Sequence, residues 1–158
     1  MSEEVLRYEK VGKIGKVILN RPNVRNAINN ALAAGFGDAI RKADADPDTN
    51  VIVLCAAGDK AFTAGFDLKE SIAAPVVNVP DRRENSLMEL NNWRAIWEAK
   101  KPVIASVQGY CIGGGVWMTF LCDLLIASED AKFGEPELKY SYINDVLGEP
   151  WKMTMNRV

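Results

Sequence analysis

Three consecutive glycines, Gly113-Gly114-Gly115, are the residues of this chain best placed to do chemistry. They follow the apolar run Val103 to Val107 and precede Val116-Trp117-Met118. That order predicts a buried strand, a turn and the start of a helix. Glycines lack Cβ atoms, so a ligand can approach their backbone closely. The first N–H groups of a helix have no intrahelical partner, and the dipole makes that end partly positive. The stretch therefore suits negative charge, either that of a bound phosphate or one that develops during a reaction.

The phosphate readings fail on particular residues. G-x-G-x-x-G would need glycine at position 118, which holds Met118, and no acid ends the next strand at the expected distance. No Gly-Lys-Ser/Thr occurs, which excludes a Walker loop. Two readings stay open: glycines that only allow tight helix–strand packing, and an oxyanion hole. Removing a proton beside a thioester carbonyl, or adding a nucleophile two carbons away, places negative charge on its oxygen. Converging backbone N–H groups stabilise that charge, each donor typically by about 3–4 kcal/mol. Gly114 N–H would be one donor. The second has to come from another tight turn, and Ala64-Gly65-Phe66 is the best candidate.

The 158 residues contain no histidine. That excludes a Ser-His-Asp triad, an H-E-x-x-H zinc site and a histidine general base. The spacings of Cys55, Cys111 and Cys122 do not suit zinc, so no metal site is expected. Acid–base chemistry falls to carboxylates, Tyr, Lys or Cys.

Length and composition suit one soluble globular domain with a real core; 48% of residues are apolar and 25% charged. A net charge of −2 gives no electrostatic case for nucleic acid or an anionic membrane. No apolar run approaches the roughly 20 residues of a membrane span. The start, Met1-Ser2-Glu3-Glu4, is acidic and lacks a signal-peptide core. With three cysteines in apolar surroundings, read as buried reduced thiols, the expectation is a cytoplasmic protein.

Several elements must hold the glycines in place. Val5 to Lys10 and Lys16 to Asn20 read as a hairpin around a Gly12/Gly15 turn. A helix is predicted from an Asn29 or Asn30 cap to Ala45, with Leu32, Phe36, Ala39, Ile40 and Ala43 as its apolar stripe. Val51 to Ala56 reads as a strand covered on both faces. Ala61 to Glu70 reads as a short extended piece, a turn at Gly65 and a helix beginning near Asp67. Ile72 to Pro80 shows no period and reads as a loop. Arg82 to Lys100 is a predicted helix with Leu87, Leu90, Trp93 and Trp97 at helical spacing, its aromatics expected in the core and otherwise lining a ligand. After the glycines come a helix to about Leu121, a strand over Asp123 to Ala127, an extended piece at Ala131 to Phe133 and a turn at Gly134 to Glu137. The alternation implies an α/β fold with mostly parallel pairing and a ββα unit recurring at uneven spacing.

Several separated motifs together resemble the crotonase (enoyl-CoA hydratase/isomerase) superfamily. They are Leu19-Asn20-Arg21-Pro22 with Asn26-Ala27, Ala61 to Leu68, Gly113-Gly114-Gly115 with Cys122-Asp123, and Phe133 to Glu137. They agree in order and spacing over about residues 5 to 140. The resemblance implies a spiral of ββα units and an oxyanion hole of Phe66 N–H and Gly114 N–H. It implies coenzyme A as part of an acyl-CoA or enoyl-CoA substrate, with no covalently bound cofactor. Arg25, Ala27 and the run Ala64, Gly65, Phe66, Asp67, Leu68, Lys69 would line the CoA. Gly113, Gly114 and Trp117 would border the acyl group. It also implies a homotrimer or dimer of trimers for a full-length chain.

The departures bear on the reaction. Hydratases that this chain resembles carry two glutamates. Glu137 matches one, and Trp117 stands where the other falls. An indole is a donor only and cannot act as acid or base near neutral pH. The resemblance therefore favours isomerase or atypical hydratase chemistry with Glu137 as general base and acid. Asp145 matches an acid that dienoyl-CoA isomerases add. Glu135 is expected in solvent, and Asp123 is expected to fix a strand end. The second departure is length. Residues 1–140 read as the CoA-thioester-binding core and 141–158 as the start of an incomplete C-terminal region, with the helices that build trimers missing. An inactive CoA-binding or oligomer-interface protein is the alternative.

Overall fold

The computed structural model describes residues 4–73 and 79–140. Strands β1 (Leu6–Val11) and β2 (Ile14–Leu19) form an antiparallel hairpin. Helix α1 (Asn30–Ala45) follows, then β3 (Val51–Ala56), β4 (Ala61–Thr63), α2 (Leu68–Ala73) and α3 (Val79–Glu98). The chain continues through β5 (Val103–Val107), β6 (Tyr110–Ile112), α4 (Gly114–Leu121), β7 (Leu124–Ala127) and β8 (Lys132–Gly134). A 3₁₀ turn spans Glu137–Tyr140.

Two sheets alternate along the chain. One runs β1-β2-β3-β5-β7 and the other β4-β6-β8, with every pair beyond the hairpin parallel. Each circuit lays one strand in each sheet: β3 and β4, then β5 and β6, then β7 and β8. This is the expected spiral of ββα units. Its spacing is uneven because α2 and α3 both return the first circuit, whereas α4 alone returns the second.

Helix α1 forms as its sequence predicts. The Asn29 side chain caps it by accepting from Leu32 N–H at 3.0 Å. Leu32, Phe36, Ile40 and Ala43 are fully buried, each large side chain contributing about 1.5–3 kcal/mol of transfer free energy. Lys101 finishes its C-terminus from a distant position. Its Nζ donates to the carbonyls of Ala43 and Asp46 and to Thr49 Oγ1, which places a cation at the negative end of the dipole.

Four expectations need correction. Gly15 is not in the hairpin turn, which falls at Gly12 (φ +59°). Gly15 pairs with Lys10, and a Cβ there would lie 2.9 Å from the Tyr8 hydroxyl. Ile72, Ala73, Val79 and Pro80, read as loop, are helical. Strand β3 is not covered on both faces: Ile52 and Leu54 are fully buried, but Val51, Val53 and Cys55 are half-buried. On α3 only part of the predicted apolar stripe is in the core. Trp93 is buried, with Ala95 and Ile96, whereas Leu87, Leu90 and Trp97 are exposed, Trp97 by 60%. The helix packs on α1 alongside Asn92, whose side chain donates to Ala33 O, and one face suffices for that contact.

The edge strand β7 is apolar and open: Leu124, Leu125 and Ile126 are all exposed. Asp123 fixes its start as expected, accepting from Val103 N–H at 2.8 Å. The burial expected for the thiols holds for Cys111 and Cys122, and Cys55 is half-buried. Desolvation pushes the Cys111 thiol up to about 12, so it stays protonated and unreactive. Among the described residues no helix is long and apolar enough to cross a membrane.

Asp46, just past α1, gathers the hairpin onto the helix end. It accepts from Asp48 N–H, the Tyr8 hydroxyl and Lys10. The Asp48 amide first, then the Tyr8 hydroxyl, hold its carboxyl below the usual 3.8. A depressed folded-state value means stability that is present above the unfolded value and lost as pH falls through the folded one. Urea midpoints should therefore separate wild type from Asp46→Asn at neutral pH. The two should converge below the ordinary carboxylate value of 3.8. A gap that stays constant with pH would count against this role.

Candidate active site

The loop after β2 and the turn after β4 are locked together. Ile28 and Phe66 form a parallel bridge, with Ile28 N–H donating to Gly65 O and Asp67 N–H to Ile28 O. Ala64 N–H donates to Arg25 O at 2.9 Å. The two stretches expected to line coenzyme A, Arg25 to Ala27 and Ala64 to Asp67, therefore lie side by side. Leu68 and Lys69 begin α2 directly after them.

Asn26 and Thr63 hold this junction. Asn26 is 1% exposed; it accepts from Arg21 N–H and donates to the carbonyls of Ala57 and Ala61. Its φ of +53° is tolerated because asparagine enters the left-handed region more readily than most residues. Thr63 Oγ1 donates to Asn26 O and accepts from Gly65 N–H. Arg21 pairs with Asp67 at 3.2 Å and donates to Ala27 O. Each of these polar atoms is satisfied, so the junction is rigid. Sequence reasoning used these residues only as family marks. The signal available was a short amide and a hydroxyl beside glycine turns.

The bridge to Ile28 uses Gly65 O and Asp67 N–H, so Phe66 N–H lies on the opposite edge. That edge faces β6 and the start of α4, since β4 pairs with β6. The approach is close: a Cβ on Gly65, whose φ is +85°, would lie 3.0 Å from Ile112 O and 3.9 Å from Gly113 Cα. A Cβ on Gly114 would lie 2.9 Å from the Phe66 ring. Gly113 accepts from Val116 N–H at 2.7 Å, so Gly114 N–H belongs to the unpaired first turn of α4. Among the described residues neither Phe66 N–H nor Gly114 N–H has a protein acceptor.

Glu137 reaches the same turn from the far side. Gly113 N–H donates to Gly134 O, which ties the β8 end to the glycines, and the chain then turns back at Glu137. A Cβ on Gly113 (φ +54°) would lie 2.5 Å from Glu137 Oε1, so glycine makes room for the carboxylate. Glu137 Oε2 is buried without a partner among the described residues. The third side is aromatic. The Trp117 ring lies 5.8 Å from Phe66, and Phe66 lies 6.4 Å from Trp93. Trp117 is 7% exposed, and its Nε1 is the other buried side-chain polar atom without a partner there.

The fold thus brings Gly65-Phe66, Gly113-Gly114, Trp117 and Glu137 to one place. Glu135 is exposed, as expected. Asp145 lies outside the described residues. A cleft of about 280 Å³ with Arg25, Lys60 and Lys132 in its wall opens elsewhere, along the Arg25 side of the junction. A carboxylate beside two free main-chain donors is the arrangement that proton transfer next to a carbonyl requires.

Known proteins share this arrangement of chain. A family model described as enoyl-CoA hydratase/isomerase matches residues 9–155. A protein of Rhizobium meliloti (strain 1021) named "Probable enoyl-CoA hydratase" is 40% identical over 149 residues, covering 94% of this chain and 55% of the relative. The crystal structure of an enoyl-CoA hydratase/carnithine racemase from Magnetospirillum magneticum superposes with a TM-score of 0.82 at 32% identity, over 90% of this chain and 53% of that one. An enoyl-CoA hydratase/isomerase from Xanthobacter autotrophicus Py2 gives a TM-score of 0.81 at 34% identity, over 87% and 51%. The chain spans about half the length of the curated relatives it matches. With this match over nearly its whole length, the chain belongs to the enoyl-CoA hydratase/isomerase family, the crotonase superfamily.

Proposed function

We propose that the chain is the core of an enzyme that binds an acyl-CoA thioester and stabilises its enolate. The observation that carries this reading is the Glu137 carboxylate packed on Gly113, beside the unpaired Gly114 and Phe66 amides. The thioester oxygen would accept from Phe66 N–H and Gly114 N–H. Glu137 takes the α-proton, the electron pair moves onto the thioester oxygen, and the two amides hold that charge. For a 3-enoyl-CoA, Glu137 then returns the proton to the γ-carbon, which leaves the conjugated 2-enoyl isomer. Arg25, Ala27 and Ala64 to Lys69 are the proposed CoA-lining residues, and Asp145 is a proposed additional acid. No step needs a metal or second cofactor.

Isomerase or atypical hydratase chemistry is favoured over ordinary hydration because Trp117 replaces the second carboxylate. Turnover of 3-butenoyl-CoA should exceed hydration of crotonyl-CoA by at least about tenfold, since one acid–base group is worth about 10²–10⁴. Both are read from the absorbance of the conjugated thioester. Rapid hydration without isomerisation would overturn the assignment.

A second reading has its own observation. The open apolar strand β7 and the exposed Leu87, Met88, Leu90 and Trp97 on α3 suit an interface. A chain that binds CoA thioesters in a thermal-shift assay without turning them over, unaffected by Glu137→Gln, would be a binding or oligomer-building protein. For a full-length chain, a homotrimer or dimer of trimers is the proposed assembly under either reading.

A further inference from the structure

Thr63 touches both of the turns that carry the two free amides. Its Oγ1 accepts from Gly65 N–H at 3.1 Å, one residue before Phe66, and donates to Asn26 O at 2.7 Å. Its Cγ2 methyl lies against Gly115, one residue after Gly114, so closely that a Cβ on Gly115 would collide with it. The next atoms such a Cβ would meet are Cys111 Sγ at 3.4 Å and Thr63 Cβ at 3.7 Å, which are ordinary contacts. The strand is irregular at this point. Ala61 stands opposite Tyr110 but Thr63 opposite Cys111, two residues against one, and all three residues of β4 are buried. A bulge of this kind re-aims side chains. The two hydrogen bonds fix the Thr63 rotamer, and with it the place of the methyl.

We propose that Thr63 is a positioning residue for the reaction. Its hydroxyl holds the Phe66 turn, and its methyl sets how closely that turn approaches the head of α4, so that both amides meet one oxygen. This rests on the enolate reading above. Valine keeps the branch but has no hydroxyl, and serine keeps the hydroxyl but has no methyl, so the two contacts can be separated. The amides act on charge that develops in the enolate. Misplacing them therefore slows α-proton removal and leaves ground-state binding of the thioester nearly unchanged.

α-Hydrogen exchange of butyryl-CoA in D₂O, read beside calorimetric affinity for the same thioester, tests this. Thr63→Val should lose about 10–10²-fold in exchange rate, with affinity within about threefold of wild type. Gly115→Ala should lose a similar factor. Adding Thr63→Ser to Gly115→Ala should recover at least about tenfold, because removal of Cγ2 leaves the new methyl only ordinary contacts. That pair decides the matter if Thr63→Val shows no cooperative unfolding in urea. An exchange loss below about tenfold in Thr63→Val, a loss of affinity that matches the loss of rate, or a Gly115→Ala defect that Thr63→Ser does not relieve would overturn the role of Thr63 and leave the enolate reading standing. A wild type that binds butyryl-CoA without exchanging it, or does not bind it, would overturn that reading and this inference with it.

Discussion

Glu137→Gln should slow turnover of an enoyl-CoA about 10²–10⁴-fold, the range typical of a single acid–base group. The change is small in every other respect. Glutamine keeps the length and shape of the side chain, so the close contact with Gly113 is retained. What is lost is the capacity to take and return a proton. The chain has no histidine and Trp117 cannot substitute, and among the described residues Glu137 is the carboxylate that packs on the glycine turn. Steady-state rates with wild type and variant check this, with urea midpoints to show that both are folded. A loss of less than about tenfold would place proton transfer elsewhere. Asp145 is then the next residue to replace.

Gly113→Ala should be nearly as damaging, for two separable reasons. Its φ of +54° with ψ −121° lies where an L residue is strained, at about 1–3 kcal/mol. The new methyl would also fall 2.5 Å from Glu137 Oε1 and push the carboxylate off the turn. Displacements of this order cost about 10²-fold in rate when they affect reacting groups. Gly12→Ala separates the two effects. Its φ is +59°, but a Cβ there meets nothing within 4 Å, Glu137 included. It should lower the unfolding midpoint in urea and leave turnover close to wild type. If both variants lose stability equally and neither loses activity, the packing of Glu137 on Gly113 has no part in the reaction.

Much of this site was legible before the structure, because glycines and a helix start have few uses in combination. Gly114 at the head of a buried helix and the Gly65 turn announced free amides at two separate points. The sequence pattern could not show that the two turns meet. Their meeting depends on the β4–β6 pairing, and β6 is only three residues long, too short to stand out between Val107 and Gly113. The Asn26–Thr63 junction was hidden for a similar reason, since three of its bonds go to carbonyls more than thirty residues away. The stripe on α3 misled because apolar spacing marks a face without saying what covers it. Trp93 finds α1 and Phe66, whereas Trp97 finds solvent. Hairpin glycines were over-read in the same spirit: Gly15 is small to admit Tyr8, not to turn the chain.

The central claim is that this chain forms an enolate by removing an α-proton with Glu137. Exchange of α-hydrogens in D₂O, followed by NMR on saturating butyryl-CoA, tests it directly, because a saturated chain can neither hydrate nor isomerise. The account predicts deuterium incorporation at the α-carbon with wild type and loss of at least about 10²-fold of that rate with Glu137→Gln. No exchange by a wild type that binds the thioester, or exchange that persists undiminished in the variant, would contradict it.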